Sequence, residues 1–250
     1  MGAHGSLAIA TGHPSMAVST SMNAQTDSLP GHGMAMDRMY RFQRHIYDAS
    51  RCYYLLGRDQ LLDRLAPPPG GSILEIGCGT GRNLIGAARR YKHAKLFGID
   101  ISQEMLKTAL GTMGRIGLDR RVLVACADAT SFDPVTTLGQ RQFDRIYFSY
   151  TLSMVPEWQA ALRHAFDLLS PVGELHIVDF GQCEALPRGF RKLLFCWLDL
   201  FHVSPCAELR REIIRLATRT GASSHFEAPY RGYAWLAVIK RQAVLQSRVP

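Results

Sequence analysis

From residue 72 onward, short apolar runs alternate with longer amphipathic stretches. Ser72-Ile73-Leu74-Glu75-Ile76 reads as a short buried strand, and Arg82 to Tyr91 as the helix after it. Lys95 to Ile99 returns as a second strand. Ser102 is placed to cap a helix from about Gln103 to Leu110. Val122 to Ala125 gives a third strand and Phe143 to Phe148 a fourth. Trp158 to Leu169 reads as a helix, with Pro156 near its start and Pro171 beyond its end. Gly173 to Asp179 is a fifth strand, and residues 188–201 and roughly 206–219 are helical. His225 to Tyr230 and Tyr233 to Ile239 are closing strands, and the Pro229–Gly232 turn permits them to pair antiparallel. This alternation predicts an α/β fold: a mostly parallel seven-stranded sheet with helices on both faces.

The chain ahead of this pattern differs in character. Residues 1–36 are rich in Gly, Ala, Ser, Met and His and carry one formal charge, Asp27. They read as a flexible extension, with too little to bury to offset the entropy of ordering. Residues 37–66 read as a helical cap. Its arginines are interspersed with Ile46, Tyr53, Tyr54, Leu61, Leu62 and Leu65. Pro67, Pro68, Pro69, Gly70 and Gly71 then stop the helix and turn the chain. Residues 70–240 form the expected catalytic domain and 241–250 a tail.

Charge adds a surface property. With 29 Lys+Arg against 21 Asp+Glu, the 250-residue chain carries a formal +8. Such a surface attracts nucleic acid, an anionic membrane or an acidic partner without choosing among them. The six cysteines form no Cys-x-x-Cys pair, and no His-Glu-x-x-His occurs, so no metal site is expected. The thiols read as buried and reduced, as in a cytoplasmic protein. The opening residues lack the charged segment and apolar run of a signal peptide.

The chemistry concentrates at Glu75-Ile76-Gly77-Cys78-Gly79-Thr80-Gly81, between a buried strand and a helix. Glycines permit a tight turn and close approach of backbone to a ligand. The amides at the helix start are available as donors. The spacing is Gly-x-Gly-x-Gly. It departs from the dinucleotide fingerprint Gly-x-Gly-x-x-Gly, because Arg82 stands where the third glycine would fall. Asp100 follows the second strand, where its carboxylate can accept two ribose hydroxyls. Asp128 follows the third strand and can meet an adenine amino group. Either residue can instead cap a helix or turn.

The motif as a whole resembles the class I S-adenosylmethionine-dependent methyltransferases. That resemblance implies a Rossmann-like fold and S-adenosylmethionine as cofactor. It assigns the methionine part to Glu75, Gly77, Cys78, Gly79 and Gly81, the ribose to Asp100 with Ile101, and the adenine to Asp128 with Ala129. Glu75 is expected to order the loop, or to reach the cofactor ammonium through water.

A closer resemblance starts earlier. Arg41-Phe42-Gln43-Arg44-His45-Ile46-Tyr47-Asp48, then Leu55-Leu56-Gly57-Arg58-Asp59, then Leu74 to Leu84 together look like the bacterial diacylglyceryl-homoserine N-methyltransferases of betaine-lipid synthesis. This implies three methyl transfers to one amine of an amphiphilic lipid. Tyr47, Tyr150 and His45 are the candidates for orienting that amine or taking its proton. Arg44 and Arg51 can pair with the lipid carboxylate, and Tyr150 can contact methylated nitrogen through its ring. Asp179 faces the cleft or caps a turn, and His176 is read as structural.

Residues 188–201 place many large apolar side chains beside Arg188, Arg191 and Lys192. The helix covers the sheet, forms a homo-oligomer contact, or meets an anionic membrane from the cytoplasmic side. Phosphatidylethanolamine, a soluble small molecule and RNA are the alternative acceptors. RNA is disfavoured, because no separate RNA-binding module or ordered basic–aromatic pattern is present.

Overall fold

The computed structural model describes residues 55–242. The N-terminal extension, most of the cap (with Arg44, His45, Tyr47 and Arg51) and residues 243–250 of the tail lie outside the described residues.

In chain order the elements are α1 (Arg58–Arg64), β1 (Ser72–Ile76), α2 (Arg82–Arg90), β2 (Lys95–Asp100), α3 (Gln103–Arg115), β3 (Val122–Cys126), α4 (Pro134–Leu138) and β4 (Phe143–Ser149). There follow a 3-10 turn (Leu152–Met154), α5 (Trp158–Asp167), β5 (Leu169–Phe180), α6 (Arg188–Asp199), α7 (Leu209–Thr220), β6 (Ser223–Glu227), a helical turn (Pro229–Gly232) and β7 (Ala234–Lys240).

The described strands form one sheet in the order β3-β2-β1-β4-β5-β7-β6. The first five are parallel, and β7 pairs antiparallel with both β5 and β6. β1 lies between β2 and β4, so the chain moves outward from β1 first to one side and then to the other. That reversal opens a crevice beyond the carboxyl ends of β1 and β4, where open α/β sheets bind ligands.

Two apolar layers hold the helices to the sheet. On one face, Leu138 of α4, Leu162 and Phe166 of α5 and Ile213 and Leu216 of α7 pack with Ile76, Ile99 and Phe148. On the other, Leu62 of α1, Leu84 of α2, Met113 of α3 and Leu198 of α6 pack with Ile73, Tyr147 and Val178. Every residue of β1 is buried. Burial on both faces explains why Ile73 and Leu74 follow one another without alternation, and it takes Glu75 into the interior as well.

The structure corrects several boundaries. β5 begins at Leu169, ahead of the expected Gly173, and runs through Pro171. It does so because the pairing jumps from Phe143↔Leu169 to Arg145↔Glu174, and the irregularity leaves Pro171 without a ladder bond to donate. β6 ends at Glu227, short of the expected Tyr230. The chain turns there through Tyr230 and Arg231 in the left-handed region, at φ 55° and 60°. The unpredicted α4 is set by Asp133, whose side chain accepts the Val135 and Thr136 amides. The expectation of buried thiols holds for Cys78, Cys183 and Cys206 but not for Cys126 and Cys196, which are exposed. Cys126 ends β3, the edge strand, and Cys196 lies on the outer side of α6.

Candidate functional site

The crevice is a cleft of about 400 Å³. Its floor is the β1–α2 turn at Gly77 and Gly79. One side comes from Ile99, Asp100 and Ile101 at the end of β2 and Met105 in the first turn of α3. The far side is Ala127 to Thr130 after β3. Tyr150, Thr151 and Met154 to Glu157, after β4, close the opposite wall.

The three motif glycines do different work. Gly77 has φ 75°, and a Cβ there would stand 2.3 Å from Cγ2 of Thr151. Backbone must therefore touch that wall directly. The amides of Gly77 and Cys78 both donate to the Ile99 carbonyl, at 2.8 and 2.9 Å, tying the turn to β2. Gly79 has φ 53°, and a Cβ there would meet nothing within 4 Å; it would point into open space bordering the cleft. Gly81 starts α2 at φ 77°, and its missing Cβ leaves room for Cε of Met113, 2.4 Å from where that Cβ would be. Gly81 thus packs α2 against α3 and does not line the cleft.

Asp100 joins the two sides. Its Oδ2 accepts the Gly79 amide at 2.7 Å and its Oδ1 accepts the Ser102 amide at 2.9 Å. Ser102 itself caps α3 by accepting the Met105 amide, which sets Met105 against the cleft. Across the cleft, Oδ1 of Asp128 accepts both the amide and the hydroxyl of Thr130, at 2.7 and 2.6 Å. Its carboxylate is held in place from within its own loop.

Glu75 and Cys78, expected to touch the cofactor, stand behind the turn. Glu75 is 1% exposed; Asn83 donates to its Oε1 at 2.8 Å and the Tyr147 hydroxyl to its Oε2 at 3.0 Å. Burial pushes its carboxyl up to about 8, against the lowering effect of those two donors. Glu75 therefore ties β1 to the first turn of α2 and to β4, which is the loop-ordering role. Cys78 is buried against Gly98, where a Cβ would lie 3.0 Å from its sulfur. Burial raises its thiol well above the ordinary value, so it is a packing group.

Tyr150 lines the cleft with its ring, but its hydroxyl donates to the Leu56 carbonyl at 2.6 Å. The ring packs edge-on to Phe180 at 4.6 Å. Burial holds the phenol well above its usual pKa. The proton-handling role expected of its hydroxyl is corrected to a tether: the oxygen points away toward the segment before α1, because the backbone takes φ 58° at this residue. Asp179 is a turn cap, accepting the Ser153 amide at 3.1 Å and the Phe180 amide at 2.7 Å. It is 1% exposed, and burial raises its pKa to about 6. His176, also buried, pairs with Glu174 on its own strand at 3.1 Å.

The cleft thus brings together Gly77, Gly79, Asp100, Ile101, Asp128, Ala129 and Tyr150 among the residues picked out from sequence. It adds Met105, Thr130, Thr151 and Met154 to Glu157, which were not. Thr151 had a signal: it directly follows Tyr150 at the end of β4. Met105 had one too, three residues after a capping serine. Glu157 had none.

This arrangement, a glycine turn after β1 with acids after β2 and β3 on a sheet of this order, defines the Rossmann-like class I methyltransferase fold. Residues 73–173, from β1 into β5, match the family model of a methyltransferase domain. The chain is 27% identical over 162 residues to an O-methyltransferase of Pyrenophora dematioidea, covering 65% of this chain and 58% of that one. It is 29% identical over 138 residues to the ubiquinone/menaquinone biosynthesis C-methyltransferase of Ruegeria sp. (strain TM1040), covering 54% of this chain and 52% of that one. The match to these relatives thus spans little more than half of their length. A crystal structure of an S-adenosylmethionine-dependent methyltransferase from Aquifex aeolicus superposes with a TM-score of 0.58 at 18% identity. It covers 82% of this chain and 97% of that one, a likeness of fold.

Proposed function

We propose that this chain is an S-adenosylmethionine-dependent N-methyltransferase acting on an amphiphilic lipid amine. The carrying observation is the Asp100 carboxylate at the end of β2, beside the open space at Gly79 and across the cleft from Asp128. These residues fit the cofactor. Asp100 supplies acceptors for ribose hydroxyls, the Asp128–Ala129 loop meets the adenine, and the bare backbone at Gly79 leaves room for the methionine part. When bound, the cofactor supplies an electrophilic methyl on sulfur.

The chain's own contribution is positioning and exclusion of water. Met105 and Met154 give the cleft apolar walls, and Thr151 is fixed by donating to the Ile76 carbonyl at 3.2 Å. The acceptor nitrogen must arrive neutral, since an ammonium has no lone pair to attack with. The proposed acceptor is the homoserine amine of diacylglyceryl-homoserine, methylated three times to the betaine lipid. The reading is supported by the sequence pattern from Arg41 to Leu84 and by the apolar helix after β5. A second reading, a soluble small-molecule acceptor, is favoured by a further relative named trans-aconitate 2-methyltransferase.

The test is an assay of the purified full chain with labelled S-adenosylmethionine. Diacylglyceryl-homoserine, phosphatidylethanolamine, soluble amines and RNA are compared as acceptors. Stepwise addition of one, two and three methyl groups to the homoserine lipid is the expected result. Transfer to another acceptor alone replaces the lipid assignment, and no binding of the cofactor ends the methyltransferase reading.

A further inference from the structure

Among the described residues, α6 is the helix whose fit to the fold is least complete. It buries one side chain fully, Leu198, and rests Leu194, Phe195 and Trp197 partly against the core. Phe190, Leu193 and Leu200, just past its end, are 47%, 71% and 73% exposed. Phe190, Leu193, Trp197 and Leu200 fall at i, i+3, i+7 and i+10, which places them in one stripe. The stripe is about 15 Å long, from the rise of a helix.

The charges at the N-terminal end of the helix have one sign, and they lie on the half turned away from the stripe. Arg188, Arg191 and Lys192 are all exposed, the first turn holds no acidic residue, and Asp199 stands at the far end. Arg191 also lies over the Phe195 ring at 5.6 Å. We propose that this face of α6 docks onto the surface of an anionic lipid bilayer, with Phe190, Leu193 and Leu200 entering the headgroup region and the net positive charge of the chain drawing it to the lipid.

A bilayer fits better than a second copy of the chain. Two molecules of formal +8 repel each other, whereas an anionic surface attracts each of them. The face is a single exposed helix stripe, suited to lying on a plane. No described helix is long and apolar enough to cross a membrane.

The face also borders the cleft. Phe201, one residue beyond Leu200, packs against Met105, as does Met154, and both methionines line the cleft. The Ser204 amide donates to the Ser153 carbonyl at 2.9 Å, fixing this junction. The docking stands on α6 alone; that a lipid acceptor passes from the bilayer to the cleft at this point rests on the function proposed above.

The test uses the full chain with vesicles of phosphatidylcholine alone, and of phosphatidylcholine with phosphatidylglycerol, in a sedimentation assay. Binding is expected to the phosphatidylglycerol vesicles, weakening as salt rises, with little to phosphatidylcholine alone. The paired substitution Leu193→Asp and Leu200→Asp is expected to reduce partitioning about tenfold or more. Both residues are exposed, so an unchanged circular dichroism spectrum and melting temperature confirm that folding is not the cause. Equal binding by the Leu193/Leu200 variant, or no preference for phosphatidylglycerol, overturns the proposal. So does a parent chain that ignores vesicles but is dimeric in ultracentrifugation, with the same variant monomeric. Titration with S-adenosylmethionine in solution is read separately, so that loss of the methyltransferase reading and loss of the docking surface are told apart.

Discussion

Oδ2 of Asp100 accepts the backbone amide of Gly79 at 2.7 Å, across 21 residues of sequence. One carboxylate thereby fixes the glycine turn and carries the oxygens proposed to meet the ribose. The turn and the proposed ribose contact share a single support, so changes at either residue are expected to be felt by both.

Asp100→Ala removes the acceptor for Gly79 as well as the proposed ribose contacts. Losing buried hydrogen bonds of this kind costs on the order of 1–3 kcal/mol. Affinity for S-adenosylmethionine is expected to fall roughly 5- to 150-fold, a range set by that figure. Isothermal titration measures it, and an unchanged dissociation constant removes Asp100 from the site.

Gly79→Ala and Gly77→Ala are expected to fail differently. At Gly79 the added methyl meets no protein atom, so the fold loses only about 1 kcal/mol for a left-handed backbone. The methyl instead occupies cleft space, and cofactor binding suffers. At Gly77 the methyl collides with Thr151, and a stability loss of about 2–4 kcal/mol is expected from overpacking plus backbone strain. Thermal melts and titration on the two variants should separate. Equal melting temperatures with equal affinities would contradict the geometry.

Much of this was readable in advance, and the reason is local. A buried strand followed by Gly77-x-Gly79-x-Gly81 and a helix is a continuous signal, and Asp100 ends β2 while Asp128 sits just after β3. Strand order then carries them to one edge. Glu157 was hidden because nothing near it in sequence ties it to the cleft, which it borders only through the tertiary fold. Tyr150 was misjudged in direction rather than place. Its left-handed backbone turns the hydroxyl toward Leu56, 94 residues away, and nothing in the sequence around it announces that conformation. β5 was cut short because Pro171 reads as a stop unless the partner strand is known to shift register there.

The buried acids give a pH dependence with a definite sign. Glu75 titrates near 8 in the folded chain against an ordinary 4.5. Between those values the folded state holds a proton that the unfolded state has lost, so stability falls as pH rises through this window. Asp179, raised to about 6 from 3.8, acts in the same direction at lower pH. Glu75→Gln is expected to flatten the upper part, so that its melting temperature gains on the parent between pH 6 and 8. Parallel curves for the two proteins would argue against a protonated Glu75.

Tyr150→Phe keeps the ring in the wall and deletes the bond to Leu56. A stability loss of about 1 kcal/mol is expected, with turnover retained to within roughly tenfold. Denaturant melts and steady-state kinetics read the two effects. A collapse of kcat by several orders of magnitude, with stability intact, would return the hydroxyl to the chemistry.

Of the described strands β7 comes last in the sequence, but it sits between β5 and β6. During synthesis the ribosome releases β6 before the strand that will attach it to the rest. Until Ala234 to Lys240 emerge, β5 carries an open edge and β6 has no neighbour within the sheet. Assembly of this half of the molecule must therefore wait for the final segment, leaving the nascent chain exposed to intermolecular strand pairing for that interval.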